Sequence, residues 1–216
     1  MTGFYKRLGF STTNNIHINS PLSFYIEETV RLGYGKLSND GALIVETGKH
    51  TGRSAGDRYI VKSDKTEKSI WWENNLNPMS SEIFEKLRTK VLTELQSKED
   101  LYITEKCVGA HQSHNIAVRT ISTRPQYSVF TNHLFRDLKR EFKDDDFTIL
   151  HIPELKLDPK EFNTKTETCV VTCLDSSTTI IVGTFYAGEI KKSMFSVMNY
   201  RLPEQNILPM HACSSR

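Results

Sequence analysis

Lys191 and Lys192 stand side by side in GTFYAGEIKKSMF, residues 183–195. They follow a small-residue turn, Ala187 and Gly188, and precede an apolar run of helical character. A helix start carries partial positive charge, which favours acids and opposes ammonium groups. A lysine is ordinarily protonated, with a reference pKa of about 10.4. Holding one neutral at pH 7 costs on the order of 4–5 kcal/mol, at about 1.36 kcal/mol per unit. Burial, a second cation and a helix N-terminus all push towards the neutral amine. The pair therefore suits a division of labour in which one lysine ligates a metal and the other holds an anion. Two solvated lysines on an exposed helix face are the alternative.

A second candidate stretch is ETGKHTGRSAGDRY, residues 46–59. Gly48 and Gly52 let a ligand approach the backbone, Thr47, Thr51 and Ser54 offer hydroxyls, and Lys49 and Arg53 offer positive charge. This is the composition of an anion-binding loop, although the G-x-x-x-x-G-K-[ST] spacing of a phosphate loop is absent. A plain surface turn uses the same residue types. The third candidate is His211 in ILPMHACSS, either a metal ligand or a packed turn residue. The other six histidines show no pair at the i, i+4 spacing of a helical metal site.

The elements that must position these residues follow from periodicity. SPLSFYIEETVRLG predicts a helix capped by Ser20, with Pro21 in its first turn and Gly33 at its end. SSEIFEKLRTKVLTELQSK predicts a longer amphipathic helix, with Ile83, Leu87, Val91 and Leu95 on one face and Ser80 or Ser81 as cap. RPQYSVFTNHLF predicts a third, with Pro125 in its first turn. GALIVETG reads as a buried strand, and DRYIVKS, LYITEKCVG, HNIAVRTIS and FTILHIP read as further strands. TCVVTCL and TTIIVGTFY, joined by DSS, predict a hairpin. Helices and strands alternate, with some strands adjacent, so the expected fold is α/β, a mixed α+β sheet with flanking helices in one domain over residues 1–216.

Composition narrows the function classes. With 38% hydrophobic and 25% charged residues, the 216-residue chain reads as globular. No apolar run approaches the roughly 20 residues of a membrane span, and no apolar signal segment opens the chain, so the expectation is a cytoplasmic protein with no membrane partner. The net charge of +2, with acids and bases interleaved, predicts no nucleic-acid partner. Cys107, Cys169, Cys173 and Cys213 match no zinc spacing. Cys169 and Cys173 fall on one face of a strand and are expected as buried, reduced thiols.

Taken in order, TGRS, the tryptophan pair Trp71–Trp72, VRTIS, GTFYAGEIKKSMFSVMNYRLP and the MH of His211 resemble the N-terminal, substrate-binding domain of ATP-dependent phosphoenolpyruvate carboxykinase. YAGEIKKSMFSVMNY downstream of TGKHTGRS is the specific part. Two departures stand out: TGRSAGD where the family commonly has TGRSPKD, and MHACSS where it usually reads close to MHCSAN. The resemblance implies conversion of oxaloacetate and ATP to phosphoenolpyruvate, ADP and carbon dioxide, using Mn2+ or Mg2+. It implies that Arg53 binds the substrate carboxylate and carbon dioxide, and that Tyr186 contacts substrate. It implies that Lys192 and His211 ligate metal near the γ-phosphate of ATP, and that Lys191 stabilises negative charge on the enolate or the phosphoryl group. The small residues before the lysines are expected to let substrate approach the backbone. The family's third protein ligand, an aspartate, and its phosphate loop belong to a C-terminal nucleotide-binding domain missing from this sequence. The chain alone is therefore expected to be inactive. The competing expectations are a short, catalytically dead relative that holds a dicarboxylate or regulates a partner, and a plain interaction domain.

Overall fold

The computed structural model describes residues 5, 8–10, 15–73 and 77–212. Its centre is a nine-stranded mixed sheet. The strand order is β1 (Asn15–Ile18), β6 (Asp100–Val108), β7 (Ile116–Ser122), β9 (Phe147–Ile152), β11 (Thr178–Val182), β10 (Cys169–Cys173), β4 (Arg58–Lys62) and β5 (Asn77–Ser80). The short β8 (Arg136–Asp137) pairs with the far end of β6. Two neighbouring pairs are antiparallel, β6 with β7 and β10 with β11, and the remaining pairs along the order are parallel. The predicted hairpin is present, with Cys173 opposite Thr178.

Both faces of this sheet are covered, which explains why CVVTC and TTIIV are nearly continuous apolar runs rather than alternating ones. Neighbouring residues divide between two cores. Val171, Ile180 and Leu150 pack with Phe84, Leu87, Val91 and Leu95 of the long helix α3 (Ser81–Gln96). Val170, Ile181 and Ile149 pack with Ile190, Met194 and Val197 of α6 (Gly188–Arg201). Cys107, Cys169 and Cys173 are buried free thiols, and burial pushes the Cys169 thiol well above its ordinary range. Cys213 lies outside the described residues.

Helix α1 (Leu22–Arg31) ends before Gly33 as expected, but Ser20 does not cap it. Pro21 occupies the cap position, and the Ser20 N–H donates instead to the Tyr25 hydroxyl at 2.9 Å. In α3 the cap is Ser80, whose Oγ accepts from the Ile83 N–H at 3.3 Å. Its buried stripe takes Phe84 in place of Ile83, which is only partly buried. The strand in GALIVETG is β3 (Leu43–Val45), and it is not buried. It pairs only with β2 (Gly35–Leu37) in a separate ribbon, leaving Ile44 and Val45 exposed. Short length also hides elements: β1 alternates only Ile16 and Ile18, and β5 and the short α2 (Asp64–Ser69) carry no periodic apolar pattern. Helices α4 (Gln126–Leu134) and α5 (Pro159–Phe162) complete the described set.

Candidate functional site

Strand β11 stops at Gly183, whose backbone has φ +75°. A Cβ there would lie 2.9 Å from the Glu167 carbonyl oxygen, so only glycine fits. The chain then leaves the sheet through Thr184, Phe185 and Tyr186 before α6 begins. This exit is tightly held. The Tyr127 hydroxyl donates to the Phe185 carbonyl at 3.1 Å, and the Thr184 carbonyl lies 3.4 Å from His151 Nε2. The Arg124 guanidinium sits 4.7 Å from the Phe185 ring centre and 4.2 Å from that of Tyr34. His151 is fully buried and also lies 3.2 Å from Ser122 Oγ; loss of water pushes its pKa down to about 3. It is therefore a neutral imidazole at physiological pH.

The first turn of α6 carries an acid, Glu189, ahead of the lysines. Glu189 is wholly buried, and its Oε1 accepts the Ser54 N–H at 2.8 Å. Its Oε2 lies 3.9 Å from Arg53 Nε. A carboxylate here is favoured by the helix field, and it fastens the TGRS loop to the lysine helix. The loop is braced from its other side by Asp57, which accepts hydrogen bonds from Ser54 Oγ and, at 2.8 Å, from Thr166 Oγ1. These contacts hold the turn where Ala55 and Gly56 supply neither proline nor charge.

Helix periodicity then sends the side chains of α6 in three directions. Ile190, Met194 and Val197 face the sheet. Lys192 and Ser196, with Asn199 and Tyr200 a turn further on, line a cavity of about 520 Å³. Arg53 and Arg58 line the same cavity. Lys191, exposed, lines a neighbouring cavity of about 310 Å³ together with Phe195 and His211. The two lysines thus face adjacent spaces rather than one.

Lys192 and His211 come together: Lys192 Nζ lies 3.1 Å from His211 Nε2. Phe195 lies beneath both, its ring centre 5.2 Å from Lys192 Nζ and 5.5 Å from the His211 ring centre. Partial loss of water and the charges of Arg53, Lys191 and Arg58 hold the Lys192 amine below the usual lysine range. Two donors on adjacent vertices around an ion with bonds of about 2.1 Å stand roughly 3.0 Å apart, so this pair fits two coordination positions. Among the described residues, no group of three His, Cys, Asp or Glu could complete a metal site.

Two expectations fail locally. The space over Gly188 is not open to substrate, because a Cβ there would meet Tyr186 Cε1 at 2.4 Å. Gly188 makes room for the Tyr186 ring, and Tyr186 is not among the residues lining the cationic cavity. Lys49 does not join Arg53; it pairs with Glu167 at 2.5 Å, on which Lys156 also converges at 3.2 Å. Two residues at the site were not predicted. Glu189 carried a legible signal, an acid in a first helical turn. Arg58, whose Nη2 donates to Ser196 Oγ at 3.0 Å, carried none beyond its charge.

Comparison with known proteins points the same way. A sequence model described as phosphoenolpyruvate carboxykinase matches residues 14–216. Proteins named phosphoenolpyruvate carboxykinase (ATP) from Parvibaculum lavamentivorans and Geobacillus kaustophilus are each 38% identical, over 96% and 93% of this chain. One from Thermus thermophilus is 35% identical over 97% of it. The chain spans 38% of the length of the first two and 41% of the third.

Proposed function

We propose, from the premise that this chain belongs to the phosphoenolpyruvate carboxykinase family, that it is the substrate-binding part of an ATP-dependent carboxykinase. The reaction is the cytoplasmic, gluconeogenic conversion of oxaloacetate and ATP to phosphoenolpyruvate, ADP and carbon dioxide. The observation that carries this reading is the approach of Lys192 to His211 beside a cavity that Lys192 shares with Arg53.

The roles follow from chemistry. The planar fork of Arg53 suits a carboxylate, and later the carbon dioxide it releases. Lys192 and His211 would hold Mn2+ or Mg2+, which supplies Lewis-acid polarisation when bound. A lowered Lys192 pKa makes the neutral amine more accessible as a ligand. Loss of carbon dioxide leaves an enolate, whose oxygen needs fixed positive charge aimed at it. Lys191, projecting next to His211, provides that charge to the enolate or to the transferring phosphoryl group. Tyr186 acts from the rim, by closing on substrate from its seat over Gly188. ATP binding needs a phosphate loop, which none of the 216 residues forms by its spacing. We assign that task, and the remaining metal ligand, to the portion of the relatives that this chain does not span. The isolated chain is then folded and inactive.

The test is a chimera in which this chain replaces the matching region of the Thermus thermophilus relative. Phosphoenolpyruvate formation from oxaloacetate, ATP and Mn2+ is expected, and Lys192→Ala should abolish it. A folded chimera without turnover, or turnover that survives Lys192→Ala, overturns the assignment.

A further inference from the structure

We infer that the cavity beside Lys192 also binds anions that carry an apolar or aromatic body, with Arg58 as the cation selecting them. The inference rests on the reading of Arg53 and Lys192 as an anion-binding pair and goes beyond it. The cavity's volume, about 520 Å³, falls within the roughly 300–1,000 Å³ of sites for drug-sized ligands. A small dicarboxylate would leave most of it empty.

The lining combines apolar and cationic side chains. Ile60, Ile70, Phe195 and Tyr200, each partly exposed, contribute apolar surface, while Arg53, Arg58 and Lys192 contribute charge. Among the described residues no aspartate or glutamate lines the space. Glu189, outside that lining, accepts the Ser54 N–H through Oε1 and stands 3.9 Å from Arg53 Nε through Oε2. Arg58 is half-buried, has only the Ser196 hydroxyl as hydrogen-bond partner, and makes no ion pair among the described residues. Burial and repulsion from Arg53 disfavour its charge. The one carboxylate acting on it, Glu189, also faces Arg53, so two guanidiniums share a single counter-charge and an incoming carboxylate supplies a second. An apolar body attached to that carboxylate then covers walls that a small dianion leaves wet. The ligand class is an aryl or branched alkyl carboxylic acid, and its use of the same lining cations makes it a competitor of the dicarboxylate.

Calorimetric titration of the 216-residue chain with phenylpyruvate, pyruvate and oxalate tests this. Phenylpyruvate should bind at least tenfold more tightly than pyruvate, a difference of about 1.4 kcal/mol, and should be displaced by oxalate. Arg58→Met should weaken phenylpyruvate at least tenfold and oxalate less than threefold. Ile70→Trp, which adds bulk to the apolar lining, should remove the advantage of the phenyl group; cooperative thermal unfolding of each variant checks that it is folded. Equal affinity for phenylpyruvate and pyruvate, in protein that binds oxalate, overturns the inference and leaves the dicarboxylate reading standing. Tight phenylpyruvate without any oxalate binding overturns the competition that the inference requires, and the dicarboxylate reading with it.

Discussion

Lys192 shares its surroundings with Arg53, Arg58 and Lys191, all cations, and with the imidazole of His211. An amine in that company loses its proton more readily than a solvated one. A metal ligand must be neutral, so the field that opposes an ammonium group serves ligation. Lys192→Arg keeps the charge but cannot deprotonate at accessible pH. In the 216-residue chain it should abolish Mn2+ binding, followed by paramagnetic resonance, while leaving metal-free oxalate binding within about threefold. Unchanged Mn2+ affinity would remove Lys192 from the ligand set. Glu189 gives a second test. Glu189→Ala strands a partly buried Ser54 N–H and removes the carboxylate that faces Arg53, at an expected loss of about 1–3 kcal/mol in urea unfolding. Glu189→Gln retains an acceptor for Ser54 and should recover much of that loss. Equal stability of the two variants would show that the Ser54 contact does not hold the loop.

At the scale of elements, what was legible depended on whether one physical signal dominated. The stripe of α3 and the apolar runs of β9, β10 and β11 are read directly, because burial on a helix face or on both sheet faces repeats along the chain. Strands β1 and β5 are not, since NIHI and NPMS are only four residues long and give the core just Ile16, Ile18 and Met79 beside their edge pairing. Likewise LIV in β3 looks like core but lies in an exposed ribbon, and apolar character alone does not identify the partner strand. For the site, residue types announced Lys192, His211 and Arg53. The separation of Lys191 from Lys192 into two cavities, and the seat of Tyr186 over Gly188, required the start of α6 in three dimensions. That start predicts that Gly188→Ala displaces the Tyr186 ring. In the active chimera the substitution should raise the KM for oxaloacetate more than it lowers kcat, and an unaltered KM would argue against Tyr186 as a substrate contact. The buried His151 predicts a pH effect on the element exit it supports. Its pKa is about 3 folded and about 6.5 unfolded, so the unfolded chain binds the extra proton between those values. Stability therefore falls as pH drops below about 6.5, by up to ~1.36 kcal/mol per unit. Urea unfolding at pH 7 and pH 5 should differ by about 2 kcal/mol from this group, a difference that His151→Gln should lack.

For the whole molecule, the sheet and its two cores lie within the described residues, whereas the proposed chemistry does not. Arg53 and Lys192 line one cavity, Lys192 meets His211 beside it, and no helix among the described residues is long and apolar enough to cross a membrane. Phosphoryl transfer depends on clamping the phosphates and excluding water, tasks that the proposal assigns to the portion of the relatives this chain does not span. Anion recognition is different, because it needs only the cations already in place. Oxalate titration of the isolated 216-residue chain at two salt concentrations, with Arg53→Lys alongside, is the most direct measurement of that central claim. The account predicts binding that weakens with added salt and that falls about ten- to a hundredfold in Arg53→Lys, since one lost charge-assisted hydrogen bond is worth about 1.5–3 kcal/mol. Oxalate affinity that is the same in Arg53→Lys as in the parent chain, or no binding by a cooperatively folded parent, would contradict it.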